Sequence, residues 1–157
     1  MAQTLNILIA GGGIGGLTAA LCLAAKGHEV KVLEQAADFS EIGAGIQLSP
    51  NCSRVLHALG LEPELKARGF LPEATQFRNW QTGDVINESP LGKKATADYG
   101  APYYHIHRGD LLNILLRAAT QSRLIELHTM TPVTDFQEHE GCITVISGAH
   151  TFEGDVL

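Results

Sequence analysis

Three cysteines are all the chain has, and Cys22, Cys52 and Cys142 stand far apart in sequence. With no CxxC pair and an odd count, neither a thioredoxin-like motif nor a paired disulfide framework is encoded. A reduced, cytoplasmic setting fits that usage. Basic residues are also in deficit: 11 Lys and Arg stand against 17 Asp and Glu, a net charge of −6. This balance argues against nucleic acid or an anionic membrane surface as partner. A long apolar run is missing as well. The longest, around Leu17–Ala25, is interrupted by Thr18 and bounded by Gly16 and Lys26, too short to span a bilayer. The N-terminus has no basic n-region, so no signal peptide is expected. No GxSxG is present, which removes the usual serine-hydrolase signature. What remains, 45% hydrophobic and 18% charged, is the composition of an ordinary globular domain.

Glycine is abundant, and one cluster of it organises the reading. Ile7, Leu8 and Ile9 form an apolar run that meets Gly11-x-Gly13-x-x-Gly16. An Ala/Leu-rich helical stretch follows, and then a second apolar strand, Val30 to Leu33, ending on Glu34. This is the strand–turn–helix–strand pattern of a dinucleotide site. Gly11 permits the sharp turn, Gly13 lets a pyrophosphate approach the backbone, and Gly16 lets helix and strand pack closely. The N–H groups of the first helical residues, Ile14 and Gly15, lie at the positive end of the helix dipole and suit phosphate. Glu34 comes 23 residues after Gly11, where a carboxylate can accept hydrogen bonds from both ribose hydroxyls and repel a 2′-phosphate. With 17 glycines in 157 residues, a bare GxGxxG is weak evidence. The flanking strands, helix and acid are what strengthen it. The competing readings are a glycine-rich turn in an ordinary α/β unit and a surface acid at a strand end.

Along the chain, strands are expected at 5–10 and 29–34 around a helix at 14–26. A glycine-bearing loop, Glu41-Ile-Gly-Ala-Gly-Ile-Gln-Leu-Ser-Pro-Asn51, follows. Asn51 is expected to cap a helix reaching Leu59, and Glu62–Arg68 to form another. Ala74–Trp80 and Val85–Glu88 read as a hairpin around Gln81-Thr-Gly-Asp84, in which Trp80 and Phe77 pack. Pro90–Gly100 reads as irregular. Tyr103–Ile106, a helix over Gly109–Thr120 and Ile125–His128 read as a second βαβ unit. Val133–Glu138, Cys142–Ser147 and Thr151–Leu157 read as a meander with turns at Glu140-Gly141 and Gly148-Ala149. Cys22 is expected in the core of the first helix.

Four segments together carry a family resemblance: Gly11–Glu34, the Glu41–Asn51 loop, the Trp80–Gly92 hairpin with Pro90-Leu91-Gly92, and His107-Arg-Gly-Asp-Leu111. The chain resembles the N-terminal part of a class A FAD-dependent aromatic monooxygenase of the salicylate hydroxylase and 3-hydroxybenzoate 6-hydroxylase type. The fold implied is α/β, the FAD-binding Rossmann variant with a glutathione-reductase-like βαβ, inserted antiparallel strands and a β-meander, incomplete at the C-terminus. The resemblance places 1–70 and 101–157 in the FAD-binding domain, and the hairpin at 71–100 in a substrate domain. It implies that Gly11, Gly13, Ile14, Gly15, Gly16 and Glu34 hold the ADP half of FAD, and that Gln35 lies beside adenine. It further implies that Ala44 and Gly45, with Gly43, run along the cofactor. Arg108 is then expected to reach the cofactor's phosphate or ribose region, and the backbone near Val133 to meet adenine. Gly109 is a mild variation on the Ala or other small residue that often follows the arginine. The activity implied is hydroxylation of a small, hydroxybenzoate-like aromatic by O2 through a flavin C4a-hydroperoxide, with NADH or NADPH as co-substrate.

No catalytic acid or base is identifiable in the segment. A motif shared by FAD and NAD(P)H and most of a substrate domain are expected beyond Leu157, so the segment alone is expected to hold FAD poorly and to be inactive. A homodimer is compatible with the sequence, which carries no signal for it. The alternatives are another FAD-dependent oxidoreductase, although a redox CxxxxC is absent, and a non-catalytic nucleotide-binding fragment. His105 and His107 alternate on one strand face without a third ligand, so no metal is expected. His107-Arg-Gly-Asp110 lacks the remaining parts of a kinase loop. Lys93 and Lys94 are too small a patch for nucleic acid.

Overall fold

Ile7 and Leu8 are buried in the strand Asn6–Ala10 (β1), and Val30, Val32 and Leu33 in the strand Glu29–Leu33 (β2). Near-continuous apolar runs of this kind belong to parallel strands covered on both faces. In the computed structural model, which describes residues 3–39 and 43–157, β1 pairs in parallel with β2 from Asn6↔Glu29 to Ala10↔Leu33. On its far side β2 pairs in parallel with Ile125–His128 (β7). The helix Ile14–Ala24 (α1) joins β1 to β2 and buries Leu17, Ala20 and Leu21.

Two compact units are distinguished: Met1–Glu41 with Leu111–Leu157, and Ile42–Asp110. The first holds the parallel sheet β1–β2–β7 and the meander Asp135–His139 (β8), Cys142–Ser147 (β9) and His150–Gly154 (β10). Leu8, Leu33 and Val145 form a buried cluster, with Val133, Ile143 and Phe152 packed against it. Each fully buried apolar side chain of this size contributes about 1.5–3 kcal/mol, so this cluster ties the meander to the sheet. Past β10 the chain bridges to β1 in parallel, Ile7 to Val156, with the Leu8 N–H donating to the Val156 carbonyl at 2.8 Å.

The second unit pairs Gly45–Leu48 (β3) antiparallel with Tyr104–His107 (β6). It carries the helices Pro50–Ala58 (α2), Glu62–Arg68 (α3) and Gly92–Tyr99 (α4), and the hairpin Ala74–Arg78 (β4) with Val85–Pro90 (β5). Tyr104 is wholly buried, its hydroxyl 3.3 Å from His57 Nε2. Burial raises its phenol above the ordinary tyrosine range. The helix Arg108–Gln121 (α5) begins at the end of β6 and buries Leu111, Leu112, Ile114, Leu115 and Ala119. No helix among the described residues is long and apolar enough to cross a membrane.

Several expectations need correction. The residues read as a glycine-bearing loop include a strand, β3, whose partner β6 lies far along the chain. Ser40, Glu41 and Ile42 of that stretch lie outside the described residues. Ser49, not Asn51, occupies the cap position of α2, with Pro50 as first helical residue, where its missing N–H costs nothing. The Pro90–Gly100 segment holds α4, closed by Gly100 in the left-handed conformation (φ 74°) and braced by Lys94–Asp98 at 2.7 Å. The second βαβ unit is not one: β6 pairs with β3, whereas β7 pairs with β2. Trp80 does not pack in the hairpin. It stands in the turn, 89% exposed, and Phe77 is exposed too.

Cys22 and Cys52 are half-buried and Cys142 is exposed, all three as free thiols. Burial raises the Cys52 thiol above its ordinary range, and the thiolate is the reactive form. Alkylation by iodoacetamide at mildly alkaline pH is therefore expected to mark Cys142 well before Cys52. Equal labelling rates in mass-spectrometric digests would contradict this packing.

Candidate functional site

Three glycines set the bend between β1 and α1, each for its own reason. Gly11 has φ +104°, a conformation L side chains rarely adopt. Its N–H donates to the Leu33 carbonyl at 2.8 Å, tying the bend to β2. A Cβ on Gly16 would lie 2.0 Å from the Gly11 carbonyl oxygen and 3.3 Å from Ile9 Cγ2, so only glycine lets α1 sit this close. A Cβ on Gly12 would fall 2.2 Å from Cε1 of Phe39.

Gly13 differs from these. Its φ of −72° and ψ of −173° are open to any residue, and a Cβ there would meet nothing within 4 Å. Neither backbone nor packing demands a glycine, and the space that it leaves is open. Gly13 is also the N-cap of α1, without a side-chain capping bond and with no acid in the first turn. The first intrahelical bond is Leu17 N–H to the Gly13 carbonyl at 3.0 Å. The N–H groups of Ile14, Gly15 and Gly16 precede it, leaving donors at the positive end of the helix dipole.

Glu34 leaves β2 beside this bend. Its Oε2 accepts the Gly12 N–H at 2.6 Å, and its Oε1 accepts the Ala36 N–H at 2.8 Å. The segment after β7 is pinned to the same place: the Thr131 N–H donates to the Glu34 carbonyl and the Met130 N–H to the Ala36 carbonyl. That tether brings Val133 across. Ala10, Gly11, Leu33, Glu34, Gln35 and Val133 together line a cavity of about 230 Å3. Among these six residues Glu34 alone carries a charge. A recess with a carboxylate in its lining and a helix N-terminus close by suits an adenine base, a diol and a diphosphate. The chain's donor set thus fits the ADP half of a dinucleotide.

Ala44, Gly45 and Arg108 are brought together in the second unit. The Arg108 N–H donates to the Ala44 carbonyl at 3.2 Å, and Gly45 lies opposite His107 in the β3–β6 ladder. A Cβ on Gly43 would lie 3.2 Å from Arg108 Cδ, so the arginine stem accounts for that glycine. His105 stacks edgewise on Tyr103 at 5.7 Å, and no metal-binding group of His, Cys, Asp or Glu occurs among the described residues. A larger cavity, about 840 Å3, lies beside α4 and contains none of the sequence-derived contacts. Its lining includes Leu71, Pro90, Leu91 and Pro102. Phe39 was not legible in the sequence as part of the bend. The hint was a third glycine, Gly12, at a position the fingerprint leaves free.

The chain is 41% identical over 135 residues to 6-hydroxynicotinate 3-monooxygenase of Pseudomonas fluorescens, covering 86% of this chain and 35% of that protein. It is 40% identical over 141 residues to 3-hydroxybenzoate 6-hydroxylase of Polaromonas naphthalenivorans strain CJ2, covering 90% and 35%. The chain therefore spans about a third of the length of these curated relatives. Among solved structures, FqzB superposes with a TM-score of 0.79 at 25% identity, covering 99% of this chain and 36% of that one. Klebsiella pneumoniae HpxO, complexed with FAD and uric acid, superposes with a TM-score of 0.82 at 23% identity, covering 97% and 38%. The latter likeness speaks to the fold. The model of one family matches residues 4–151, nearly the whole chain, and by that match the chain belongs to the FAD binding domain family.

Proposed function

We propose that this chain supplies the ADP-holding part of an FAD-dependent monooxygenase that uses NADH or NADPH and O2 to hydroxylate a small aromatic acid. The observation that carries the reading is Gly13, a glycine that protein packing leaves unexplained, at the uncapped start of α1 and next to a cavity rimmed by Glu34. The names of the relatives, hydroxylases of hydroxybenzoate and hydroxynicotinate, favour a ring bearing a carboxylate and a hydroxyl. FAD, when bound, supplies the redox chemistry and oxygen activation.

The chain's own residues bind and orient. Gly11, Gly13, Ile14, Gly15 and Gly16 present backbone to the diphosphate. Glu34 accepts the ribose hydroxyls, while Gln35 and Val133 flank adenine. Ala44, Gly45 and Arg108 serve the remainder of the cofactor, with Arg108 offering positive charge to a phosphate. The FAD-binding domain on this reading comprises 1–70 and 101–157. The hairpin within 71–100, with Phe77, Val85 and Ile86 exposed, belongs to the substrate domain of the longer protein. The cytoplasm is the proposed setting.

The test is the full-length protein with NADH or NADPH and a panel of hydroxybenzoates and hydroxynicotinates. Oxygen uptake coupled to a product heavier by one oxygen is the expected result. Flavin reduction without a hydroxylated product from any of them would favour another FAD-dependent oxidoreductase.

A further inference from the structure

We propose that Phe39 is a positioning residue for the phosphate-binding bend, an inference that rests on reading this site as the holder of ADP. Gly12 is not among the glycines with positive φ, so its backbone would accept a side chain. What forbids one is the aromatic ring: a Cβ at Gly12 would lie 2.2 Å from Phe39 Cε1, 2.8 Å from Cδ1 and 3.2 Å from Glu34 Cβ. The ring fills the place of the missing methyl.

Gly12 is thereby held at two points. Its N–H is bound by the Glu34 carboxylate at 2.6 Å, and its α-carbon is covered by the half-buried Phe39 ring. Both clamps come from the segment that leaves β2, and both act on the residue just before Gly13. They determine where the Gly12–Gly13 peptide sits, and with it how the N–H groups of Ile14, Gly15 and Gly16 are aimed. Preorganised donors bind best when their own supports are rigid. Phe39 is not among the residues that line the 230 Å3 cavity, so its contribution is selective: it serves the diphosphate more than the adenosine half.

Binding of ADP and of adenosine to the FAD-free full-length protein, followed by calorimetric titration, tests this selectivity. Phe39→Ala is expected to weaken ADP roughly tenfold, the equivalent of one misaligned charge-assisted hydrogen bond. Adenosine affinity is expected to stay within about twofold, and Phe39→Leu to fall between. Thermal melts of Gly12→Ala, Phe39→Ala and the double variant test the clamp itself. Gly12→Ala is expected to lower the melting temperature when Phe39 is present and to do so much less when it is alanine. Additive melts, or equal losses of ADP and adenosine affinity, would overturn the inference. Coupled melts in a full-length wild-type protein that binds no ADP would instead sink the proposed nucleotide function, and the positioning role with it.

Discussion

Gly13→Ala is expected to leave the fold intact and to weaken ADP binding by at least about a hundredfold, some 2.7 kcal/mol. The first half follows from the backbone. At φ −72° and ψ −173° alanine is unstrained, and its methyl group meets no protein atom within 4 Å. Replacing glycine at such a position even removes freedom from the unfolded chain, so the melting temperature should hold or rise slightly. The second half follows from the proposed occupant. A methyl group there would stand between the diphosphate and the N–H groups at the start of α1. Gly16→Ala is the control with the opposite signature. Its Cβ would lie 2.0 Å from the Gly11 carbonyl oxygen, so α1 must move off the sheet. Overpacking of this kind costs about 3 kcal/mol, or roughly 10 °C in melting temperature. Calorimetry and ADP titration on both variants separate the two effects. A stable Gly13→Ala chain with undiminished ADP affinity would remove the main support for the nucleotide site.

The contrast between these glycines shows what a sequence can carry. The unit β1–α1–β2 was legible because its signals are local: an apolar run, a glycine bend, an Ala/Leu helix and an acid within 29 consecutive positions. β3 was hidden because Gly45-Ile-Gln-Leu48 has no strand signature of its own. It becomes a strand through register with Tyr104–His107, and short-range patterns do not report such distant pairing. α4 was hidden for another reason. It buries only Ala95, so there is no apolar stripe to read, and its order comes from the Lys94–Asp98 pair and the Gly100 cap. The false βαβ unit arose because β6 and β7 look alike as short apolar strands, and no local feature says which sheet each will join. The site divides the same way. Glycines and acid were readable from spacing. The arrival of Val133 depends on β7 docking beside β2, Leu33 opposite His128, and the Phe39 contact depends on the path of the chain after Glu34.

Glu34→Gln is expected to behave as a damaging change despite its near-identical shape. The carboxylate uses both oxygens as acceptors, one for the Gly12 N–H at 2.6 Å and one for the Ala36 N–H at 2.8 Å. An amide has a single acceptor oxygen, and its NH2 must face one of those two donors whichever way it is turned. One hydrogen bond to a charged group is lost and two donors confront each other, a cost of about 1.5–3 kcal/mol. Glu34→Ala loses both bonds; water can reach the exposed Ala36 N–H, but the part-buried Gly12 N–H loses its acceptor, so its melting temperature should fall at least as far as that of the glutamine variant. Nucleotide selectivity is the second readout. With the negative charge gone, the preference for ADP over its 2′-phosphorylated counterpart should shrink in both variants, because the repulsion of that phosphate goes with the carboxylate. If Glu34 served only the ribose, glutamine would keep the wild-type melting temperature, since its amide can still bond a hydroxyl. A lowered melting temperature together with reduced discrimination therefore identifies one side chain that braces the bend and sets the choice of nucleotide, whereas a change in discrimination alone would confine it to the sugar.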